Sequence, residues 1–255
     1  MNEEFFCKKC NNSGRISNRS IIRYCDCVFG KKLKKPKFNV LFQKSNLPQE
    51  LTKLTLEDFS VYKNHKDGKD FTKDQMAQKE YAKKVTQLYE KQIKKAILKN
   101  NIILPTFNGG KYEGNNLFFY GGESSGKTML SVNILKNALC QFNDSLAAYY
   151  MDWSDLVTRV FPFNGEWKDI LDLTRNTGIL CLDSVVDGGI DSKHVEARIT
   201  SIIKYRLLKN KPTIITSTYS PLSFQQTHHL LEPLINKCLK IKLNDSIDMS
   251  KQRRG

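Results

Sequence analysis

From residue 117 onward, short apolar runs alternate with segments of helical period. LFFYGG reads as a buried strand and TMLSVNILKNALCQF as the helix after it. SLAAYYM is a second strand, followed by WSDLVTRVF; GILCLDSV is a third, followed by the long helical stretch SKHVEARITSIIKYRLLKN; TIITST is a fourth. Continuous rather than alternating apolar strands, each followed by a helix, predict a parallel sheet covered on both faces. Upstream, Thr72 and Gln75 form a capping-box pair at the start of a helix expected to run to about Asn100. Tyr81, Val85, Leu88, Tyr89, Ile93, Ala96 and Ile97 keep helical spacing along one stripe, with lysines opposite, so that stripe is core packing. DGKD at 67–70 marks a loop, and no internal repeat is visible.

The 255 residues, about 40% apolar and 26% charged, describe a globular protein with room for a small domain and a larger one. No run approaches the roughly 18 apolar residues of a membrane span. MNEEFFCKKC lacks the basic and apolar regions of a secretory signal, so a cytoplasmic location is expected. The net charge is +15, and residues 1–110 hold 23 Lys and Arg against 11 Asp and Glu. That asymmetry fits contact with nucleic acid or another acidic surface, and equally a solvated lysine-rich face. KKLKKPK at 31–37 is its sharpest cluster, with five lysines.

Four of the seven cysteines fall early, as C-x2-C and C-x-C separated by fourteen residues: Cys7, Cys10, Cys25 and Cys27. Two close pairs of thiolates suit the tetrahedral ligand set of a structural zinc ion, with RSIIRY as a strand bringing the second pair alongside. Disulfides fit a reducing compartment poorly, and free thiols are the other reading. With four protein ligands the metal has no open position and no chemistry of its own. Cys140, Cys181 and Cys238 stand alone and are expected in the core.

GGESSGKT satisfies G-x-x-x-x-G-K-[ST] between a strand and a helix. Gly121, Gly122, Glu123, Ser124, Ser125, Gly126, Lys127, Thr128 and Met129 are therefore the candidate ATP-phosphate site, with Lys127 reaching the β- and γ-phosphates and Thr128 ligating Mg2+. Asp183 ends an apolar strand where the second magnesium-facing carboxylate belongs. The next position often holds a carboxylate that activates water; here it is Ser184. Ser217 and Thr218 end the following strand, where a polar side chain helps position the attacking water. Lys127, Asp183 and Thr218 are thus the candidate catalytic residues. Without a base, hydrolysis slows by roughly 10²–10⁴-fold, although Asp187 lies close in sequence.

The order C-x2-C…C-x-C, LTLEDF, GGESSGKT, WSDL, LCLDS and KYRLLKNKPTIITST resembles the bacterial and phage replicative helicase loaders of the DnaC/DnaI type, in the AAA+ superfamily, over nearly the whole chain. The resemblance implies a zinc-binding, helicase-docking domain at 1–45 and an AAA+ P-loop ATPase domain at 46–255. It implies ATP and single-stranded DNA as ligands, the replicative hexameric helicase as partner, and self-association through the AAA+ domains. The chain departs from the family at Ser184, at Thr218 (often Asn), and in LLEPLINKC. That last segment holds Lys237 where an arginine usually acts on a neighbouring subunit's nucleotide, leaving Arg198 and Arg206 as substitutes. An IstB-type transposition helper, or a hydrolysis-deficient adaptor or inhibitor of helicase loading, remains an alternative; a P-loop kinase with a zinc site fits poorly. Phe161 and Phe163 are candidates for base stacking, with packing as the plainer role.

Overall fold

The structure is a computed structural model that describes residues 15–18, 21–24, 38–61, 71–99, 101–161, 167–185, 193–227 and 231–243. Cys7, Cys10, Cys25, Cys27, the KKLKKPK run, DGKD, Phe163 and Asp187 lie outside them. The chain divides into two compact units, Met1–Leu41 and Phe42–Gly255. In the first, β1 (Arg15–Asn18) and β2 (Ile21–Tyr24) pair antiparallel, with Arg15 opposite Tyr24 and Asn18 opposite Ile21. Helix α1 (Phe38–Lys44) follows.

The larger unit is a five-stranded, wholly parallel sheet with helices on both faces. Its strands are β5 (Asn116–Gly121), β6 (Ala148–Asp152), β7 (Ile179–Asp183), β8 (Thr213–Ser217) and β9 (Cys238–Leu243), in the order β6-β7-β8-β5-β9. The expected parallel α/β sheet is therefore present, with a fifth strand, CLKIKL, at the edge beside β5. A small hairpin of β3 (Ile102–Pro105) and β4 (Lys111–Gly114) lies outside the sheet.

Successive strand residues feed opposite cores, which is why the strands read as unbroken apolar runs. On one face Leu117, Phe119, Cys181 and Ile214 pack with two helices, α3 (Lys73–Leu98) and α4 (Lys127–Phe142). The capping box at Thr72 is formed: Gln75 N–H donates to Thr72 Oγ1 at 3.3 Å, and Thr72 N–H to Gln75 Oε1 at 2.9 Å. The predicted stripe buries Val85, Tyr89, Ile93 and Ala96 completely, with Tyr81, Leu88 and Ile97 at its margin.

On the other face Phe118, Leu180, Leu182 and Ile215 meet α5 (Trp153–Val160), α6 (Trp167–Asn176), α7 (Lys193–Leu208) and the short α8 (Pro221–Thr227) and α9 (Glu232–Ile235). Asp152 caps α5 by accepting the Ser154 and Asp155 amides. Cys181 and Cys238 are buried as expected, but Cys140, on the outer side of α4, is exposed. Among the described residues no helix is long and apolar enough to cross a membrane.

The segment SNLPQELTKLTLEDF belongs to the larger unit. Tyr150 N–H donates to Ser45 O at 3.0 Å, so this segment runs along the free edge of β6. It then passes through α2 (Gln49–Thr52) into a 3₁₀ turn, Leu56–Asp58. Asp58 closes that turn by accepting from Thr55 N–H at 2.7 Å and Thr55 Oγ1 at 2.9 Å. These hydrogen bonds hold the Asp58 carboxyl below its ordinary pKa.

Candidate nucleotide-binding site

The phosphate loop leaves β5 at its C-terminal end, beside the crevice where the chain crosses from β5 to the far edge strand β6. Ligands of open parallel sheets sit at such switch points. Its bends demand unusual backbone: Ser124 has φ 57° and Gly126 φ 99°. Gly126 is required twice, because a Cβ there would stand 2.4 Å from the Phe59 ring. Among the described residues no backbone carbonyl accepts from the amides of Glu123 to Thr128. Those N–H groups, at the start of α4, form a nest suited to an anion.

Lys127 folds back into the loop. Its ammonium donates to Gly121 O at 2.9 Å, Gly122 O at 2.7 Å and Ser125 Oγ at 3.3 Å. Burial depresses its pKa to about 8, with Asp183 and Glu123 pulling the other way. Glu123 and Ser124 are exposed on the rim, Ser125 is buried beneath it, and Met129 packs against the core.

Asp183, at the end of β7, is 3% exposed and accepts only hydroxyl donors among the described contacts. Thr128 Oγ1 lies 3.0 and 3.1 Å from its two oxygens. Thr216 Oγ1 donates to Oδ1 at 2.6 Å, Tyr150 OH to Oδ2 at 2.6 Å, and Ser184 Oγ to Oδ2 at 3.3 Å. Burial, then the Asp183 charge, pushes the Tyr150 phenol above its ordinary pKa. Thr128 and Asp183, two oxygen ligands in contact at the mouth of an amide nest, fit a Mg2+, which they would hold and which would supply positive charge against bound phosphates.

Ser184 takes a left-handed conformation, φ 55°, with its amide tied to Thr216 Oγ1 at 2.9 Å and its side chain exposed. Of the strand-end hydroxyls, Ser217 Oγ donates to Val185 O at 2.6 Å, and Thr218 is half-buried one residue beyond β8. Thr216, not singled out from sequence, is the hydroxyl that reaches Asp183. Tyr150 and Lys79 were likewise missed, each hidden in a run that reads as strand or as lysine-rich helix.

The two candidate substitute arginines are committed within the chain. Arg206 is 1% exposed. Its five N–H groups reach Thr213 Oγ1 at 3.0 Å, Thr174 O at 2.8 Å, Thr177 O at 3.1 Å, Gly178 O at 2.9 Å, and Pro212 O. It staples the N-terminal edge of the sheet and cannot reach a neighbouring subunit. Arg198 donates to Val160 O and stacks on the Trp167 ring at 4.3 Å. Lys237 is exposed after α9. Phe161 is 56% exposed. Among the described residues no group of three or more His, Cys, Asp or Glu gathers as a metal site.

No protein-family model and no curated protein sequence matches the chain. Solved structures do. A candidate primosome component from Streptococcus pyogenes serotype M3 superposes with a TM-score of 0.55 at 15% identity, over 82% of this chain and 98% of that one. The DnaC helicase loader gives 0.52 at 22% identity, over 78% and 99%. DnaI gives 0.52 at 18% identity, over 79% and 96%. The fold is that of the DnaC/DnaI-type structures. Identities this low speak to architecture: an α/β fold on a five-stranded parallel sheet, shared with the DnaC structure.

Proposed function

We propose that this protein is an ATP-binding helicase loader of the AAA+ class, which docks on the replicative hexameric helicase and helps place it on single-stranded DNA during replication initiation in the cytoplasm. The observation that carries the nucleotide half is the Thr128–Asp183 contact at the mouth of the Gly121–Met129 loop. The fold it sits on, shared with a helicase loader, supports the rest.

In this reading residues 46–255 form the ATPase domain. The amides of Glu123 to Thr128 and the Lys127 ammonium bind the phosphates, while Thr128 and Asp183 hold Mg2+, which would neutralise phosphate charge when bound. Residues 1–45 carry a structural Zn2+ on Cys7, Cys10, Cys25 and Cys27 and dock on the helicase. Self-association runs through the AAA+ domains, and DNA is held through phosphate contacts that weaken with salt. Thr218, one residue beyond β8, helps orient a water in this reading. Hydrolysis is slow, because the position after Asp183 is a serine whose hydroxyl is already turned to that carboxylate and serine is no base at neutral pH.

A second reading, a nucleotide-gated adaptor or inhibitor of loading without useful turnover, is favoured by Ser184 together with the enclosure of Arg206. An IstB-type transposition helper shares the nucleotide site and differs in partner.

The deciding experiment is native mass spectrometry of the full chain with its own host's replicative helicase, with and without ATP. A helicase hexamer carrying several copies, lost on removal of residues 1–45, is expected. ATP binding without any helicase complex would turn the assignment to a transposition partner. A complex that blocks DNA loading in a reconstituted assay would turn it to an inhibitor.

A further inference from the structure

Of the lysines on α3, Lys79 is the buried one: it is 4% exposed, while the helix's other lysines are exposed or half-buried. Its ammonium donates to the Ser125 carbonyl at 3.0 Å and lies 4.5 Å from the centre of the Phe59 ring and 4.7 Å from that of Phe71. An apolar side chain would fill a site between two rings without the desolvation that a cation suffers there. The position of the charge, one peptide away from Gly126, gives it a purpose.

A trans peptide directs its C=O and N–H to opposite sides. A Ser125 carbonyl held toward α3 therefore turns the Gly126 N–H away from α3 and into the loop. The same peptide is gripped from a second direction, since Phe59 packs so closely on Gly126 that no side chain fits. Positive charge at this depth is screened little by water and adds to the field of Lys127.

We propose that Lys79 is a positioning residue of the triphosphate site: it fixes the Ser125–Gly126 peptide so that the Gly126 amide stays aimed at a bound phosphate, and its charge helps hold the nucleotide's polyphosphate. This rests on the ATP-binding reading above. It also gives the LTLEDF segment a role, because Phe59 and α3 then form one support beneath the loop.

The test compares the full chain with K79M and K79R, using a fluorescent ATP analogue with Mg2+, and K127A as the reference for lost phosphate contact. K79M is expected to bind about tenfold more weakly or worse, the loss of one charge-assisted hydrogen bond. K79R, which restores a long cationic donor, recovers most of that. The Gly126 amide resonance is expected to move downfield on ATP addition in the unsubstituted chain and K79R but not in saturated K79M, a signature that a change in stability alone would not produce. K79M binding as tightly as the unsubstituted chain, with the same Gly126 shift, overturns the proposal while leaving ATP binding intact. Should K79M fail to fold, the Lys79 Nζ resonance of the unsubstituted chain decides: it must shift on ATP addition, and a silent Nζ overturns the proposal. A chain that binds no ATP at all overturns the parent reading and this one with it.

Discussion

Tyr150 donates a 2.6 Å hydrogen bond to Asp183, linking the end of β6 to the carboxylate that ends β7. The two strands pair in parallel with Tyr150 beside Cys181 and Met151 beside Leu182, so the phenol reaches the carboxylate diagonally across the strand ends. A hydrogen bond to a charged group is worth about 1.5–3 kcal/mol. Tyr150→Phe is therefore expected to lower the ligand-free stability by about 2 kcal/mol in urea denaturation. Saturating Mg2+·ATP should narrow that gap, because a cation at Asp183 compensates the missing donor. A gap that stays constant with ligand would mean that Tyr150 contributes packing alone.

The two buried lysines give a pH dependence with opposite signs for affinity and stability. Lys127 and Lys79 both have pKa values depressed to about 8, chiefly by burial. Each must be charged to attract phosphate, and bound phosphate raises its pKa. ATP affinity is therefore expected to be flat below pH 8 and to fall above it, by up to about tenfold per pH unit for each lysine that must take up a proton. Ligand-free stability moves the other way. Between about pH 8 and the ordinary lysine pKa the unfolded chain holds more protons than the folded one, so the lysine contribution to stability rises with pH. Calorimetric titration across pH 7–10, with parallel thermal melts, reads both. An affinity unchanged across that range would show that neither ammonium faces the phosphates.

How much of this was legible in the sequence follows from the range of each interaction. The phosphate loop is local: its residues are consecutive, and glycine is needed at 126, where φ turns positive and Phe59 comes close, so its spacing shows in the sequence. Asp183 was legible from the apolar run that delivers it. Tyr150 and Thr216 were not, because strand register alone brings residues 33 positions away on either side to one carboxylate. β9 escaped notice because CLKIKL alternates, as an edge strand does. Lys79 looked like any lysine of a solvated helix face until the rings of Phe59 and Phe71 enclosed it. Arg206 misled in the opposite direction: an arginine near the right place in sequence proved to be spent on four backbone carbonyls and the Thr213 hydroxyl.

That enclosure makes Arg206 a strong stability determinant and a weak functional one. Arg206→Met leaves the carbonyls of Thr174, Thr177, Gly178 and Pro212 without this donor in a buried setting. A loss of about 3–5 kcal/mol is expected, softened only by the smaller desolvation of methionine. Arg206→Lys should lose nearly as much, since three donors cannot replace a planar fork of five. Chemical denaturation measures both variants. Whichever variant stays folded at low temperature should bind ATP normally, because the staple stands at the opposite end of the strands from the phosphate loop. A stable variant with impaired ATP-dependent assembly would return Arg206 to the list of residues acting between subunits.

Ser184 is where a small change should alter chemistry more than stability. Its hydroxyl contacts Asp183 at 3.3 Å, and its side chain is exposed at the mouth of the site. Ser184→Glu places a carboxylate, able to accept a proton from water, beside the Thr128–Asp183 pair. The backbone resists slightly: at φ 55° any residue other than glycine bears a left-handed conformation, which costs about 1–2 kcal/mol, but the serine already bears it. Single-turnover hydrolysis by the unsubstituted chain is expected to be slow, and by Ser184→Glu at least tenfold faster, within the roughly 10²–10⁴-fold that a positioned base supplies. Ser184→Gly, which relieves the backbone without adding a base, should be more stable and no faster. If Ser184→Gly accelerates hydrolysis as much as Ser184→Glu, the restraint on turnover lies in the geometry of this turn; if the unsubstituted chain already turns over briskly, water is activated from elsewhere.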